Sequence, residues 1–186
     1  LIIDNFLNDF KEFRDHVSGL DYKGTVNPLD GVIYPNINIE IPDSIKYEVL
    51  HKISDILNKK IQLTIPLCLR LSLEGVKAPH QAHTDSMMGE YNFILYMNDG
   101  SEGFGTSIVK HVSGMEFNPK TIEEEQLWIQ DTNNYNKWEI IQHYQMKSNR
   151  AVIIPSHLFH RAEPVHGFGT SALDGRLVLL AFFNVL

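Results

Sequence analysis

Arg176-Leu177-Val178-Leu179-Leu180-Ala181-Phe182-Phe183 sets seven consecutive apolar residues behind one arginine. The run is far short of the ~20 residues that cross a bilayer as a helix. It has no alternation, so as a strand it is apolar on both faces and must be covered on both. A strand over 176–185 therefore lies inside a two-layered structure. Upstream of it come further short β-rich runs at 61–73, 91–97, 106–112, 126–130, 138–145 and 151–154. Polar turns separate them: Asn98-Asp99-Gly100, Ser113-Gly114, Asp131-Thr132-Asn133-Asn134 and Lys147-Ser148-Asn149. Evenly spaced short strands with such turns point to a sandwich or barrel. Strands and helices do not alternate after Leu63, which argues against a doubly wound sheet.

The first third reads differently. A helix is expected from about Asn8 to Ser18, stopped by Gly19, with Phe10, Phe13 and Val17 at helical spacing. A second follows Pro42-Asp43-Ser44, with Ile45, Val49, Ile53, Ile56 and Leu57 on one face. The expected organisation is one domain over 1–186. Residues 1–60 form supporting helices, and 61–186 a mainly β jelly roll with an insertion near 113–137. That insertion reads as a solvated excursion with a short hairpin, or as a lid. Trp128 and Trp138 flank it, as core packing or as a wall facing substrate.

The bulk properties set limits. The chain has 186 residues and a formal net charge of −7, which disfavours the clustered cations that nucleic-acid backbones require. The lone cysteine, Cys68, excludes an internal disulfide and reads as a small buried hydrophobe. Leu1-Ile2-Ile3 runs straight into Asp4-Asn5, unlike a secretory leader, so a cytoplasmic protein without a membrane partner is expected. Oligomeric state is not written in the sequence.

Of nine histidines, His83 stands out in His83-Thr84-Asp85. Residues two apart on an extended strand share a face, so imidazole and carboxylate can meet at one point. A second histidine follows the buried strand at 151–154, in Ser156-His157-Leu158-Phe159-His160. Two histidines and one carboxylate on one face of a metal leave coordination positions open, the ligand set of non-haem iron(II) oxygenases. Structural zinc prefers four closed ligands, usually with cysteines. Arg176 reads in two ways. It is an exposed strand-start arginine or one paired with Asp174 or Glu163, or else it is a buried guanidinium whose fork receives a carboxylate.

Five short motifs, in order over residues 65–185, resemble the 2-oxoglutarate- and iron(II)-dependent oxygenases, and within them the prolyl 4-hydroxylase-like branch. They are Ala78-Pro79-His80-Gln81-Ala82-His83-Thr84-Asp85, Phe93-Ile94-Leu95-Tyr96-Met97-Asn98, Gly103-Phe104-Gly105-Thr106, the segment 152–165, and 176–183. The resemblance implies a double-stranded β-helix (a jelly roll, cupin-like barrel) with supporting N-terminal helices. It implies that His83, Asp85 and His160 bind iron(II), which prefers His160 to His157 as third ligand. It implies that Arg176 takes the distal carboxylate of 2-oxoglutarate, helped by the Tyr96 hydroxyl. Asn92 shares the Tyr96 strand face and is a candidate cofactor contact or a core-edge amide. The implied reaction uses O2 and 2-oxoglutarate, releases succinate and carbon dioxide, and hydroxylates a small-molecule or peptidyl substrate.

The chain departs from the family's pattern in three places. Leu71-Ser72-Leu73 stands where a tyrosine is common, Arg176-Leu177-Val178 replaces Arg-x-Ser, and the gap from His160 to Arg176 is long. Arg161 is expected to point outward, and His80 to sit at a rim. The rival readings are a cupin-like metal enzyme that does not use 2-oxoglutarate, and a non-catalytic jelly-roll binding module.

Overall fold

The computed structural model describes residues 1–26, 31–76 and 78–186. In chain order the elements are β1 (Ile2–Ile3), α1 (Phe10–Ser18), β2 (Lys23–Val26), β3 (Ile33–Asn38), α2 (Asp43–Leu57), β4 (Ile61–Leu63) and β5 (Cys68–Ser72). Then come β6 (Tyr91–Tyr96), β7 (Gly105–His111), α3 (Ile122–Asp131), β8 (Trp138–Gln145), β9 (Ala151–Pro155), β10 (His160–Glu163) and β11 (Arg176–Val185). One sheet runs β1-β9-β6-β11-β5-β3-β2, with β4 also on β11; the other runs β10-β7-β8. The pairings are antiparallel. No helix among the described residues is long and apolar enough to cross a membrane.

β11 is the central strand, as its two-sided apolarity requires. Its register sets Leu179 between Leu69 of β5 and Leu95 of β6, and Val178 between Arg70 and Tyr96. Paired residues share a face. Leu177, Leu179, Ala181 and Phe183 therefore join Leu69, Leu71, Phe93 and Leu95 in the larger core, beneath Phe13 and Val17 of α1 and Ile45, Val49 and Ile53 of α2. Val178 joins Ile94, Tyr96, Val152 and Ile154 in a second core that meets Ile108 and Tyr144 of the small sheet. Each side chain so buried contributes roughly 1.5–3 kcal/mol. α2 ends where Asn58 turns left-handed (φ 50°), a conformation asparagine tolerates, and Lys59 N–H donates to Ser54 O.

Several expectations need correction. The run at 126–130 is helical, inside α3. Thr121 caps that helix by accepting from Glu124 N–H, and Glu123, Glu124 and Glu125 fill its positive first turn. The insertion therefore carries a helix, not a hairpin. The run at 61–73 is two strands, interrupted at Pro66, which has no N–H to pair. Residues 1–60 also hold β1, β2 and β3, and β3 extends the large sheet beyond β5.

Candidate metal centre and adjoining cavity

His83 and His160 are held side by side by their own backbones. His83 N–H donates to His160 O (3.1 Å) and His160 N–H donates to His83 O (2.9 Å). Their ring centres are 4.6 Å apart. Two residues on, Asp85 N–H donates to Ser156 O at the end of β9 (2.8 Å). His83 stands in a single bridge to His160 rather than in a strand, and the chain turns at Asp85 (φ −110°, ψ 22°), so these backbone contacts, not strand alternation, bring the two side chains together. One ligand atom from each of His83, Asp85 and His160 lies within 4.8 Å of the others.

The donor set fits a divalent metal. His83 Nδ1 lies 2.9 Å from Gln81 O, and His160 Nδ1 lies 3.1 Å from Leu158 O. A carbonyl only accepts, so each Nδ1 carries the hydrogen and each Nε2 presents its lone pair. Asp85 is fixed from the side by Asn92 Nδ2, which donates to Oδ2 (2.7 Å). Burial and the neighbouring His160 push the His83 imidazole down to about 4. It is neutral at pH 7, as a ligand must be. Burial pushes the Asp85 carboxyl up, but His160 and His83 outweigh it and hold it at about 2. Burial pulls His160 down, and Asp85, 3.1 Å away, more than restores it, leaving its affinity for a proton raised.

The segment carrying His83 is braced from the insertion. Trp128 Nε1 (2.9 Å) and Thr132 Oγ1 (2.7 Å) both donate to Ala82 O, and Ala82 N–H donates back to Thr132 O (3.0 Å). Asn133 clamps the residues before it, accepting from Gln81 N–H (3.0 Å) and donating to Pro79 O (3.1 Å). Asn118 bridges the Thr84 and Ser86 hydroxyls just beyond. The sequence reading missed this brace. The Thr121-x-x-Glu124 cap was its available signal, since a helix there brings 128 and 132 to one face.

The three ligands open onto a cavity of about 340 Å³ between the sheets, within the range of small-molecule pockets. Arg176 lines the same cavity. It is buried, at 5% exposure, and pairs with neither Asp174 nor Glu163. Glu163 is taken by Arg161 (2.6 Å), and Asp174 by Thr170 and Ser171. Arg176 donates instead to neutral acceptors, Gly105 O (Nε, 3.3 Å) and Thr106 Oγ1 (NH2, 3.1 Å). Gly105 has φ 151°, and a Cβ there would sit 2.0 Å from Tyr144 O, so only glycine lets β7 approach this closely. Burial lowers the Arg176 pKa to about 10, the cost of a charge without a counter-ion.

Tyr96 has a different place from the one expected. It does not line the cavity. Its hydroxyl donates to Thr106 Oγ1 (2.8 Å), one side chain behind Arg176. Asn92 lies at the cavity wall, and its Oδ1 is buried without a partner. His80 also lines the cavity, against the Trp128 ring, and His157 is exposed. Arg161 is a correction: it is 1% exposed, ion-paired with Glu163 and stacked on Tyr135 (3.9 Å). On β10, paired antiparallel with β7, it is buried between Glu163 and the Tyr135 ring rather than facing solvent.

No family model and no curated protein matches this chain. Solved structures do. HygX from Streptomyces hygroscopicus with nickel and 2-oxoglutarate bound aligns with a TM-score of 0.57 at 12% identity, over 98% of this chain and 81% of that one. HygX has also been solved with hygromycin B bound. SnoN, a non-haem α-ketoglutarate-dependent epimerase of nogalamycin biosynthesis, aligns at 0.53 and 9%, over 98% and 76%. The Trichoplax adhaerens prolyl hydroxylase in complex with a hypoxia-inducible-factor peptide aligns at 0.51 and 14%, over 98% and 82%. At these identities the likeness is one of fold, and the fold of this chain is the double-stranded β-helix of those 2-oxoglutarate-dependent proteins.

Proposed function

We propose that this chain is an iron(II)- and 2-oxoglutarate-dependent oxygenase that hydroxylates a C–H bond of a small-molecule or peptidyl substrate. The observation that carries the reading is a coincidence in one cavity. A two-histidine, one-carboxylate set meets a buried arginine that has no carboxylate of its own. A bare metal enzyme of the same fold has no need of that arginine. The ligands carried by HygX, iron in one structure and nickel with 2-oxoglutarate in another, agree with this donor set.

In this reading His83 Nε2, Asp85 and His160 Nε2 would hold iron(II), a ligand set of the non-haem iron(II) oxygenase kind. Bound together, iron(II), 2-oxoglutarate and dioxygen supply an oxidant for C–H bonds, with succinate and carbon dioxide as co-products. The chain's own residues bind and orient. Arg176 receives the distal carboxylate through its fork. Thr106 aims the guanidinium, and Tyr96 fixes the Thr106 hydroxyl behind it. Asn92 holds Asp85 in one orientation. Val178, Leu180 and Ile94 line the wall and keep water out. The prolyl 4-hydroxylase-like branch rests on the sequence motifs; the prolyl hydroxylase aligns no better than HygX or SnoN.

The test is visible absorption under anaerobic conditions with iron(II) and 2-oxoglutarate. A metal-to-ligand charge-transfer band is expected in the parent and in neither His83→Ala nor Arg176→Ala. Bound iron without a band in the parent would overturn the reading in favour of a metal enzyme that uses no 2-oxoglutarate.

A further inference from the structure

Arg70 is a second guanidinium on the same cavity, and nothing in the proposed chemistry uses it. It sits mid-strand on β5, opposite Ile37 on β3 and Val178 on β11. Ser72, its neighbour on that face, is opposite Arg176. Arg70 and Arg176 therefore leave the same face of the large sheet from adjacent strands, two residues apart in register. Alternation along Cys68-Leu69-Arg70-Leu71-Ser72 sends Leu69 and Leu71 into the helix-covered core and Arg70 into the cavity. Its Cζ lies 5.5 Å from the centre of the Tyr34 ring. Among the described residues no carboxylate, carbonyl or hydroxyl accepts a hydrogen bond from it. A guanidinium lying over a ring face at this distance makes a cation–π contact that uses none of its N–H donors, which stay available to a planar oxyanion.

The charges in the cavity say what that oxyanion is. Its charged side chains, among the described residues, are Arg70, Asp85 and Arg176. Iron(II) and dianionic 2-oxoglutarate would cancel, Asp85 and Arg176 cancel, and Arg70 is left over. The walls beside it are apolar: Val26, Ile37, Ile39 and Ile65. Among the described residues no carboxylate pairs with Arg70, and a half-buried cation among such walls gains from an anion brought to it.

We propose that Arg70 receives a carboxylate of the primary substrate, so that the cavity holds two acids at once. 2-Oxoglutarate lies on Arg176, and a small, largely apolar monocarboxylic acid lies on Arg70. The inference rests on the 2-oxoglutarate reading for its charge balance, but Arg70 binds its acid through its own donors.

Calorimetric titration with hexanoate and with hexanamide separates the two ideas. It is done anaerobically on protein loaded with iron(II) and saturated with 2-oxoglutarate, so that Arg176 is already occupied. The parent is expected to bind hexanoate at least tenfold tighter than hexanamide. Arg70→Ala should reduce that preference to under twofold while leaving 2-oxoglutarate affinity within about threefold; Arg70→Lys should keep part of it. Equal binding of acid and amide by the parent overturns the proposal, whatever the variants do. So does loss of 2-oxoglutarate binding in Arg70→Ala with retention in Arg176→Ala, which would make Arg70 the co-substrate's receptor. If 2-oxoglutarate never binds but an Arg70-dependent hexanoate preference persists, the carboxylate subsite stands and the oxygenase reading falls.

Discussion

Replacing Arg176 with methionine separates stability from ligand binding, because the structure assigns its guanidinium opposing effects on the first and one effect on the second. In the ligand-free protein the substitution deletes two hydrogen bonds from a charged donor, to Gly105 O and Thr106 Oγ1, worth about 1.5–3 kcal/mol each. It also removes a buried, unpaired charge whose desolvation shows as a pKa lowered to about 10. The two effects oppose, so unfolding free energy should move by less than ~2 kcal/mol. Binding has no such compensation. Truncating one partner of a buried, hydrogen-bonded charge pair costs about 2–5 kcal/mol, or roughly 30- to 5,000-fold in Kd. The assay is thermal unfolding of metal-loaded protein, under argon, with 2-oxoglutarate at 100 times its parental Kd. The parent gains about 2.7 kcal/mol by mass action, which for a chain of this size is a rise in Tm of roughly 5–11 °C. Arg176→Met should show about a third of that rise or less. A variant that kept the full rise would refute the assignment and direct attention to Arg70.

Four further outcomes follow from the geometry. Asn92→Ala frees Asp85 to rotate and should weaken metal binding by about 10–100-fold, read by competition with a chromogenic chelator; unchanged affinity would show that Asn92 only fills space. Trp128→Phe with Thr132→Val strips both donors from Ala82 O and should also weaken metal binding. Each single variant should do less, since either donor can serve that carbonyl. Arg161→Met leaves Glu163 buried without its partner and should cost about 3–5 kcal/mol in urea unfolding, while Arg161→Met with Glu163→Met should recover most of the loss. Metal affinity should rise with pH. His160 holds its proton above the ordinary 6.5 through its pairing with Asp85, and a metal must displace it, so affinity climbs through that raised value and then levels. On the acid side affinity should collapse as His83 protonates near about 4. The same pair stabilises the metal-free fold below pH 6.5 and ceases to as pH rises through the raised value, so alkaline pH should lower Tm in chelator-treated protein more than in loaded protein.

The parts of this structure legible in the sequence were those with redundant local signals. β11 declared itself because seven apolar residues admit no solvent face, and β8 and β9 followed from their length and flanking turns. His83 and Asp85 were legible as a His-x-Asp tripeptide, although the backbone contacts with His160 and Ser156, not a strand's period, bring them together. His160 needed the family motif, since nothing local distinguishes it from His157. What was lost depended on tertiary context. β2 is a short exposed strand and β3 a half-buried one, paired with each other and, through β3, with β5, so no clear apolar pattern marks them. α3 carries β-favouring residues at 127–129 that compete, as a local signal, with its Thr121 cap. The burial of Arg161 depends on its ion pair with Glu163 and on Tyr135, which only the tertiary fold brings over it. Arg70 sat in plain alternation with Leu69 and Leu71, yet its meaning appears only when β11 sets Arg176 on the adjacent strand.

The central claim is that the cavity couples 2-oxoglutarate to a metal-bound oxidation, and turnover without any known substrate tests it. The iron(II)-loaded protein is supplied with 2-oxoglutarate labelled at its first carbon, in air, and released carbon dioxide is counted against succinate formed. Slow, equimolar release by the parent is expected, and none above background from His160→Ala or Arg176→Ala. A parent that binds iron(II) and 2-oxoglutarate yet releases no label, or variants that release as much as the parent, would contradict the account.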